Sequence, residues 1–485
     1  MICGYTETMA INEGDVARAV RRDSPWWRDL NWVKTDRDLR DAAAQGIAYD
    51  PDPLGTLVDD GLYLLYGPRR VGKTVSLKRK IHQLLSTGLN PLQVVRVSVD
   101  GWSANRLGML YEWVTRTATT SLPPDAGRYW FIDEITATQG QWWSIIKDLR
   151  DNTGFRDDCV VLTGSSNSGL DDAIKALAGR RGHTTDANRA LLPMNFTHFC
   201  HGLGLIPPIG AAVRPDELRS DVARAIWNAL LPYTDDLVAA WQAYLDVGGY
   251  PQAVGDWKRS NSIDSSTVSA LFDVVRGDLG TAGLPEPQAR ALLTALAKRV
   301  TSTVSMIGLA EELGIGRKTL DPLIALLVDT FIVWRCPAAD KRGRPDESRQ
   351  AKLYFYDPLI ARLPEIRFGQ PPLDITRLTE QQLGTALMAW CDHIMPGTAR
   401  AGGWVTHYKN SRAEIDFAGV CPDTNARMTA LDGKYVSGAW RQEALTIRNS
   451  DIKIGVLATR DILSMDASDD VWAVPASFIA YSVGL

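Results

Sequence analysis

Eight residues constrain this chain more than any others: Gly67-Pro68-Arg69-Arg70-Val71-Gly72-Lys73-Thr74 fits the pattern G-x-x-x-x-G-K-[ST]. The pattern carries a mechanism only in a turn that follows an apolar strand and opens a helix. It stands in such a place, because the apolar run Leu62–Tyr66 precedes it and Leu77, Ile81 and Leu84 follow at i, i+4, i+7 spacing. There the glycines let backbone N–H groups wrap a β-phosphate, and the helix N-terminus adds about half a positive charge. Lys73 is expected to neutralise β/γ oxygens and Thr74 to ligate Mg²⁺ through its hydroxyl, so the expected cofactors are ATP and Mg²⁺.

A second element strengthens the first. Tyr129-Trp130-Phe131-Ile132-Asp133-Glu134 is an apolar strand ending in two carboxylates. Asp133 at its tip is suited to hold Mg²⁺ through water, and Glu134 to orient and deprotonate an attacking water. A third apolar run, Val160–Thr163, ends in Gly164-Ser165-Ser166, which would lie beside a γ-phosphate if this strand inserts between the other two. With a further strand at Val94–Val99 and helical stretches near Leu107–Thr119 and Gln141–Leu149, the alternation predicts an α/β fold, a parallel sheet covered on both faces.

Length and charge set the wider frame. At 485 residues the chain exceeds one hydrophobic core. A net charge of −4 gives no general attraction to phosphate backbones or anionic membranes, so any nucleic-acid contact must come from local patches. The six cysteines are scattered without a C-x-x-C pair, which fits a reducing cytoplasm. No apolar run approaches the ~18–20 residues that span a bilayer, and no secretory leader is visible, so neither membrane insertion nor secretion is expected. His198-Phe199-Cys200-His201 groups metal-binding side chains but lacks a fourth ligand for a tetrahedral site, and it reads as ordinary half-buried residues.

Together these residues resemble the AAA+ class of P-loop ATPases, which insert a strand between the Walker A and Walker B strands. More narrowly, the chain is similar to bacterial and archaeal ATPases that join such a domain to a winged helix and a C-terminal PD-(D/E)xK nuclease-like domain. The likeness rests on Gly67–Thr74, Phe131–Ile135, Thr163-Gly164-Ser165-Ser166, Ala178-Gly179-Arg180-Arg181-Gly182, Leu192-Pro193-Met194-Asn195-Phe196 and Gly248-Gly249-Tyr250-Pro251. It implies a γ-phosphate sensor at Thr163 or Ser165. It also implies an arginine finger at Arg180 or Arg181 that reaches a neighbouring subunit's nucleotide, hence a homo-oligomer. The division expected is an N-terminal lead-in over 1–55, the ATPase domain over 56–200, a helical segment over 201–285, a winged helix over 286–372 and the nuclease-like domain over 373–485.

Downstream, Met306–Leu313, a Gly-Ile-Gly turn and Arg317–Val328 read as helix-turn-helix. Strands at Phe331–Trp334 and Leu353–Tyr356 flank a loop carrying Lys341, Arg342, Arg344 and Arg349, a basic tip suited to DNA phosphates. Asp321 and Pro322 in the second helix oppose direct base reading. After a helix near Glu380–His393, strands are expected near Trp404–Tyr408, Ile415–Val420 and Met428–Tyr435, then a helix and two more strands. Glu414-Ile415-Asp416-Phe417 followed by Asp432-Gly433-Lys434 resembles D…(D/E)-x-K, with Asp416 and Asp432 as ligands of a second Mg²⁺ and Lys434 steadying water. Related helices offer a Glu four residues after their glycine; counting from Gly384, that place holds Met388. Three functions follow: ATP hydrolysis coupled to remodelling of nucleic acid or nucleoprotein, a slow ATP-dependent switch that binds a protein partner, and an ATP-gated nuclease.

Overall fold

The computed structural model describes residues 3–123, 126–165, 170–184, 186–209, 212–340, 342–395 and 403–484. Ser166 and Lys341, singled out above, lie outside the described residues. Two compact units separate, one of residues 1–44 and 50–191, the other of residues 45–49 and 192–485.

The first unit is built on five parallel strands: β1 (Leu62–Tyr66), β2 (Val94–Ser98), β3 (Tyr129–Asp133), β4 (Cys159–Gly164) and β5 (Asn188–Ala190), in spatial order β2-β3-β4-β1-β5. The strand bearing Thr163 therefore lies between the strand that feeds the glycine-rich turn and the strand that ends in Asp133, as expected. β1 and β4 are buried along their whole length, which is why they read as unbroken apolar runs.

β2 is an outer strand, and its unpaired backbone groups are met by side chains of the lead-in rather than by another strand. Ser24 Oγ donates to Arg96 O at 3.0 Å and accepts from Arg96 N at 2.9 Å. The indole N–H groups of Trp26 and Trp27 both donate to Val94 O, at 2.9 and 2.8 Å, and Asp23 accepts from Ser98 N at 2.9 Å. Satisfying the edge in this way blocks pairing with another chain.

The second unit opens with helices and turns at Gly248-Gly249, between helices Thr234–Val247 and Pro251–Ser260. Gly249 is forced by crowding, because an added Cβ would stand 2.0 Å from Met194 O. The same glycine's N–H donates to Asp357 Oδ2 at 2.7 Å, and its carbonyl accepts from Met194 N at 2.7 Å. Helices Met306–Leu313 and Arg317–Asp329 follow, then an antiparallel pair of β6 (Val333–Cys336) and β9 (Lys352–Phe355), with the short β7 (Ala338–Ala339) and β8 (Pro345–Asp346) paired between them.

Beyond lies the long helix Ile375–Ile394, a two-residue hairpin of β10 (Tyr408–Lys409) and β11 (Glu414–Ile415), and a parallel sheet of β12 (Ala430–Gly433), β13 (Gly455–Thr459) and β14 (Val471–Pro475). The expected strands at 404–408, 415–420 and 428–435 are thus shorter, their flanks held by single bridges such as Phe417 with Leu431 and Val420 with Arg427. The closing helix Ala476–Val483 was not expected: all eight of its residues are buried, so it carries no polar face and no helical period to read.

Candidate functional site

The turn after β1 has the backbone that its glycines permit. Gly67 takes φ 146° and Gly72 φ 99°. At Gly67 any side chain is excluded as well, since a Cβ would stand 2.0 Å from Leu191 O. Helix Lys73–Ser86 begins directly after Gly72, so the free N–H groups of its first turn open onto the loop.

Lys73 is 6% exposed and its ammonium donates to Gly67 O at 2.8 Å and Pro68 O at 2.9 Å, bridging the turn from inside. Burial pushes its pKa down to about 8, against the raising influence of Glu134 and Asp133. A buried cation whose hydrogen bonds, among the described residues, go to two carbonyls is poised to gain from a polyphosphate.

Asp133, 2% exposed, sits at the centre of a polar knot. Its Oδ2 accepts from Thr74 Oγ1 at 3.1 Å and from Arg96 Nη2 at 2.6 Å, and its Oδ1 accepts from Thr163 Oγ1 at 2.5 Å. Burial raises its pKa, but the Arg96 charge and these three hydrogen bonds more than offset that and hold it below the usual carboxylate range. Glu134 follows at φ 59°, a left-handed backbone uncommon for a residue with a side chain. Its N–H donates to Thr163 Oγ1 at 3.0 Å and its Oε2 accepts from Ser165 Oγ at 3.0 Å.

The structure therefore brings together Gly67, Pro68, Gly72, Lys73, Thr74, Asp133, Glu134, Thr163 and Ser165. Thr163 spends both its donor and an acceptor lone pair tying the tips of β3 and β4 together, whereas Ser165 touches the side chain of Glu134. Thr74 and Asp133 present hard oxygen donors at hydrogen-bond distance, a pair that suits Mg²⁺. Arg69 and Arg70 are exposed on the loop and Val71 is buried beneath it.

Arg180 and Arg181 are not part of this cluster. Arg181 N–H groups lie against Leu62, at the opposite end of β1 and so about 13 Å from the turn at ~3.3 Å per residue. Burial and the neighbouring Arg150 push its pKa down to about 10. Arg180 grips Asp151 through two hydrogen bonds, at 2.6 and 2.9 Å.

Arg96 was not anticipated, though a charged residue within Val94-Val95-Arg96-Val97 is the signal that marks it: so buried a guanidinium requires an acidic partner.

In the second unit, Asp416, Asp432 and Lys434 do converge. Lys434 Nζ lies 3.1 Å from Asp432 Oδ1, and Asp416 Oδ2 accepts from Gly433 N at 3.0 Å. Glu380, four residues before Gly384 on helix Ile375–Ile394, lies in the same cluster, 3.0 Å from Lys352 Nζ. Lys352 on β9 joins the same cluster and was likewise unforeseen. Burial pushes Glu380 up to about 8, whereas Asp416 is held down by Lys352 and Lys434 in spite of its burial. His198 and His201 take separate partners: His198 packs on Tyr49 and His201 Nε2 meets the Tyr481 hydroxyl at 2.8 Å. Among the described residues no group of three His, Cys, Asp or Glu is arranged to hold a metal.

Residues 59–200 match the family described as an AAA domain, and the strand order and site geometry agree with that assignment. This stretch is an AAA-type P-loop ATPase domain. Residues 238–363 match a domain of unknown function (DUF8612). No curated protein matches the chain. Among solved structures, a Walker-type ATPase of Pyrococcus abyssi is similar at 12% identity, covering 70% of this chain and 96% of that one with a TM-score of 0.37. A RuvB variant of Thermotoga maritima is similar at 19% identity, covering 63% and 89% with a TM-score of 0.26. No described helix is long and apolar enough to cross a membrane.

Proposed function

We propose that the chain hydrolyses ATP in a Mg²⁺-dependent manner and couples turnover to remodelling of nucleic acid or nucleoprotein as a homo-oligomer. The observation that carries the ATPase reading is the meeting of Thr74 and Lys73, at the mouth of the glycine-rich turn, with Asp133 and Glu134 at the tip of β3. Bound Mg²⁺ would be held by Thr74 and, through water, Asp133, and would neutralise charge on the phosphates. Lys73 leaves its loop carbonyls for the β/γ oxygens. Glu134 accepts the proton of the attacking water, with Ser165 holding its carboxylate until substrate arrives and then sensing the γ-phosphate. Arg180, kept by Asp151 away from its own chain's nucleotide turn, is the finger offered to a neighbouring subunit, with the half-buried Arg181 as the anchor of that loop.

The nucleic-acid part rests on the downstream residues. Helices Met306–Leu313 and Arg317–Asp329 with the β6–β9 pair have the order of a winged helix, and Arg342 and Arg344 are exposed on its loop. Asp340 organises that loop by accepting from the backbone N–H groups of both arginines, which leaves their side chains to meet phosphates. In this reading residues 201–285 form a helical segment, 286–372 a winged helix and 373–485 a nuclease-like domain.

ATP turnover measured alone and with duplex, branched and single-stranded DNA tests the coupling. Stimulation of about tenfold or more supports it. Turnover unchanged by every nucleic acid rejects it in favour of an ATP-dependent switch that binds a protein partner.

A further inference from the structure

Of the two carboxylates offered by sequence for a second Mg²⁺, Asp416 already faces a cation that the chain itself supplies, in company with Glu380 and Glu414, while Asp432 pairs with Lys434. Lys352 Nζ lies 3.0 Å from Glu380 Oε1, 3.2 Å from Glu414 Oε1 and 3.0 Å from Asp416 Oδ1, with its side chain 1% exposed. We propose that Lys352 is the resident cation of this nuclease-like centre, holding Glu380, Glu414 and Asp416 in the place a divalent metal would take, so that the folded chain binds no Mg²⁺ or Mn²⁺ there.

The stoichiometry of donors supports this. An ammonium has three N–H groups and no acceptor, and three carboxylate oxygens stand around it at hydrogen-bond distance. Mg²⁺ needs oxygens at about 2.0–2.1 Å in near-octahedral array, so the same oxygens would have to close in on a point the ammonium now fills. Metal and lysine therefore exclude one another.

The lysine is enclosed: its side chain is 1% exposed, and it issues from β9, whose backbone is paired on both edges, opposite Cys336 in β6 and bridged to Thr303 on the other side. Two residues on and facing the same way, Tyr354 donates its hydroxyl to Glu380 Oε1 at 2.6 Å, which fixes that carboxylate from a second direction. Glu414 is drawn outward as well, with Lys409 Nζ 2.6 Å from its Oε2. Asp432, fully buried, is tied to Lys434 instead, whose Nζ lies 3.1 Å from its Oδ1. One cationic side chain thus converts a set of metal-ligand residues into a closed ion-pair cluster.

The test is Mn²⁺ binding to the full chain without nucleotide, followed by the electron paramagnetic resonance signal of free Mn²⁺. The proposal expects wild type and Asp416→Asn to titrate identically, because this centre contributes no equivalent in either. Lys352→Met is expected to gain one equivalent, which the double variant with Asp416→Asn loses again. A wild-type equivalent that disappears in Asp416→Asn would overturn the proposal, as would a folded Lys352→Met that gains none. Should Lys352→Met fail to fold, the comparison of wild type with Asp416→Asn still decides.

Discussion

Replacing Arg96 by methionine removes a charge from the polar knot at Asp133 while keeping most of the volume beneath β2. The Arg96 and Asp133 side chains are only 8% and 3% exposed, and they meet at 2.6 Å. Breaking one partner of a buried ion pair costs about 3–5 kcal/mol, because the other charge is left uncompensated. Asp133 keeps its hydrogen bonds from Thr74 and Thr163, so the lower end, about 3 kcal/mol, is expected. For a unit of this size that is a fall of roughly 6–12 °C in melting temperature at 2–4 °C per kcal/mol. Since Arg96 depresses the Asp133 pKa, its contribution is present above the unfolded carboxylate pKa and lost as pH falls through the folded value, so the deficit should shrink in acid. When Mg²⁺ and a non-hydrolysable ATP analogue bind, a second cation comes to Asp133 and the deficit should fall by half or more. Calorimetric scans of both proteins, with and without the magnesium analogue, measure all of this. A variant that melts within about 2 °C of wild type, or one with the same deficit in both conditions, would refute the reasoning.

The remaining expectations concern neighbouring side chains. With Lys73 at about pKa 8 in the free protein and fully charged against phosphate, nucleotide binding above pH 8 should take up a proton, seen as a dependence of calorimetric heat on buffer ionisation. The same depressed pKa opposes folding below pH 8 in the nucleotide-free state and ceases to do so as pH rises toward the unfolded value, so Lys73→Met should stabilise the free protein at neutral pH. Thr163→Val strands both the Glu134 N–H and Asp133 Oδ1, and should destabilise by about 1–3 kcal/mol in urea denaturation. Ser165→Ala, which frees only an accessible Glu134 oxygen, should leave stability within ~0.5 kcal/mol and slow turnover instead. Arg180→Ala should lower turnover by ~10³-fold without changing ATP affinity, and mixing it with Glu134→Gln chains should restore part of the activity through hybrid interfaces.

The parts of this site that could be read from sequence are those whose chemistry is contiguous. The glycine-rich turn and the acidic tip of β3 each compress strand, loop and functional group into a few neighbouring residues, and so does the insertion of β4, announced by Val160–Thr163 and its polar end. Glu380 was hidden by a counting direction: four residues after Gly384 stands Met388, but four residues before it stands Glu380, on the same helical face. Gly384 itself is demanded by the Phe417 ring, 2.4 Å from where its Cβ would be. Arg96 and Lys352 share a different fate. Each is one cation inside an apolar strand, Val94-Val95-Arg96-Val97 and Lys352-Leu353-Tyr354-Phe355, and each finds its acids only across the fold, at Asp133 and at Glu380 with Asp416. A charge in a buried strand says that partners exist; long-range pairing, which a linear pattern does not contain, says which they are.

The proposed hydrolysis requires Glu134 and Lys73 to face one triphosphate. In a single-turnover experiment with bound ATP and Mg²⁺, Glu134→Gln should retain ATP with wild-type affinity while hydrolysis slows by ~10²–10⁴. Lys73→Ala should bind no ATP in the same titration. Hydrolysis at the wild-type rate by Glu134→Gln, or undiminished ATP affinity in Lys73→Ala, would contradict it.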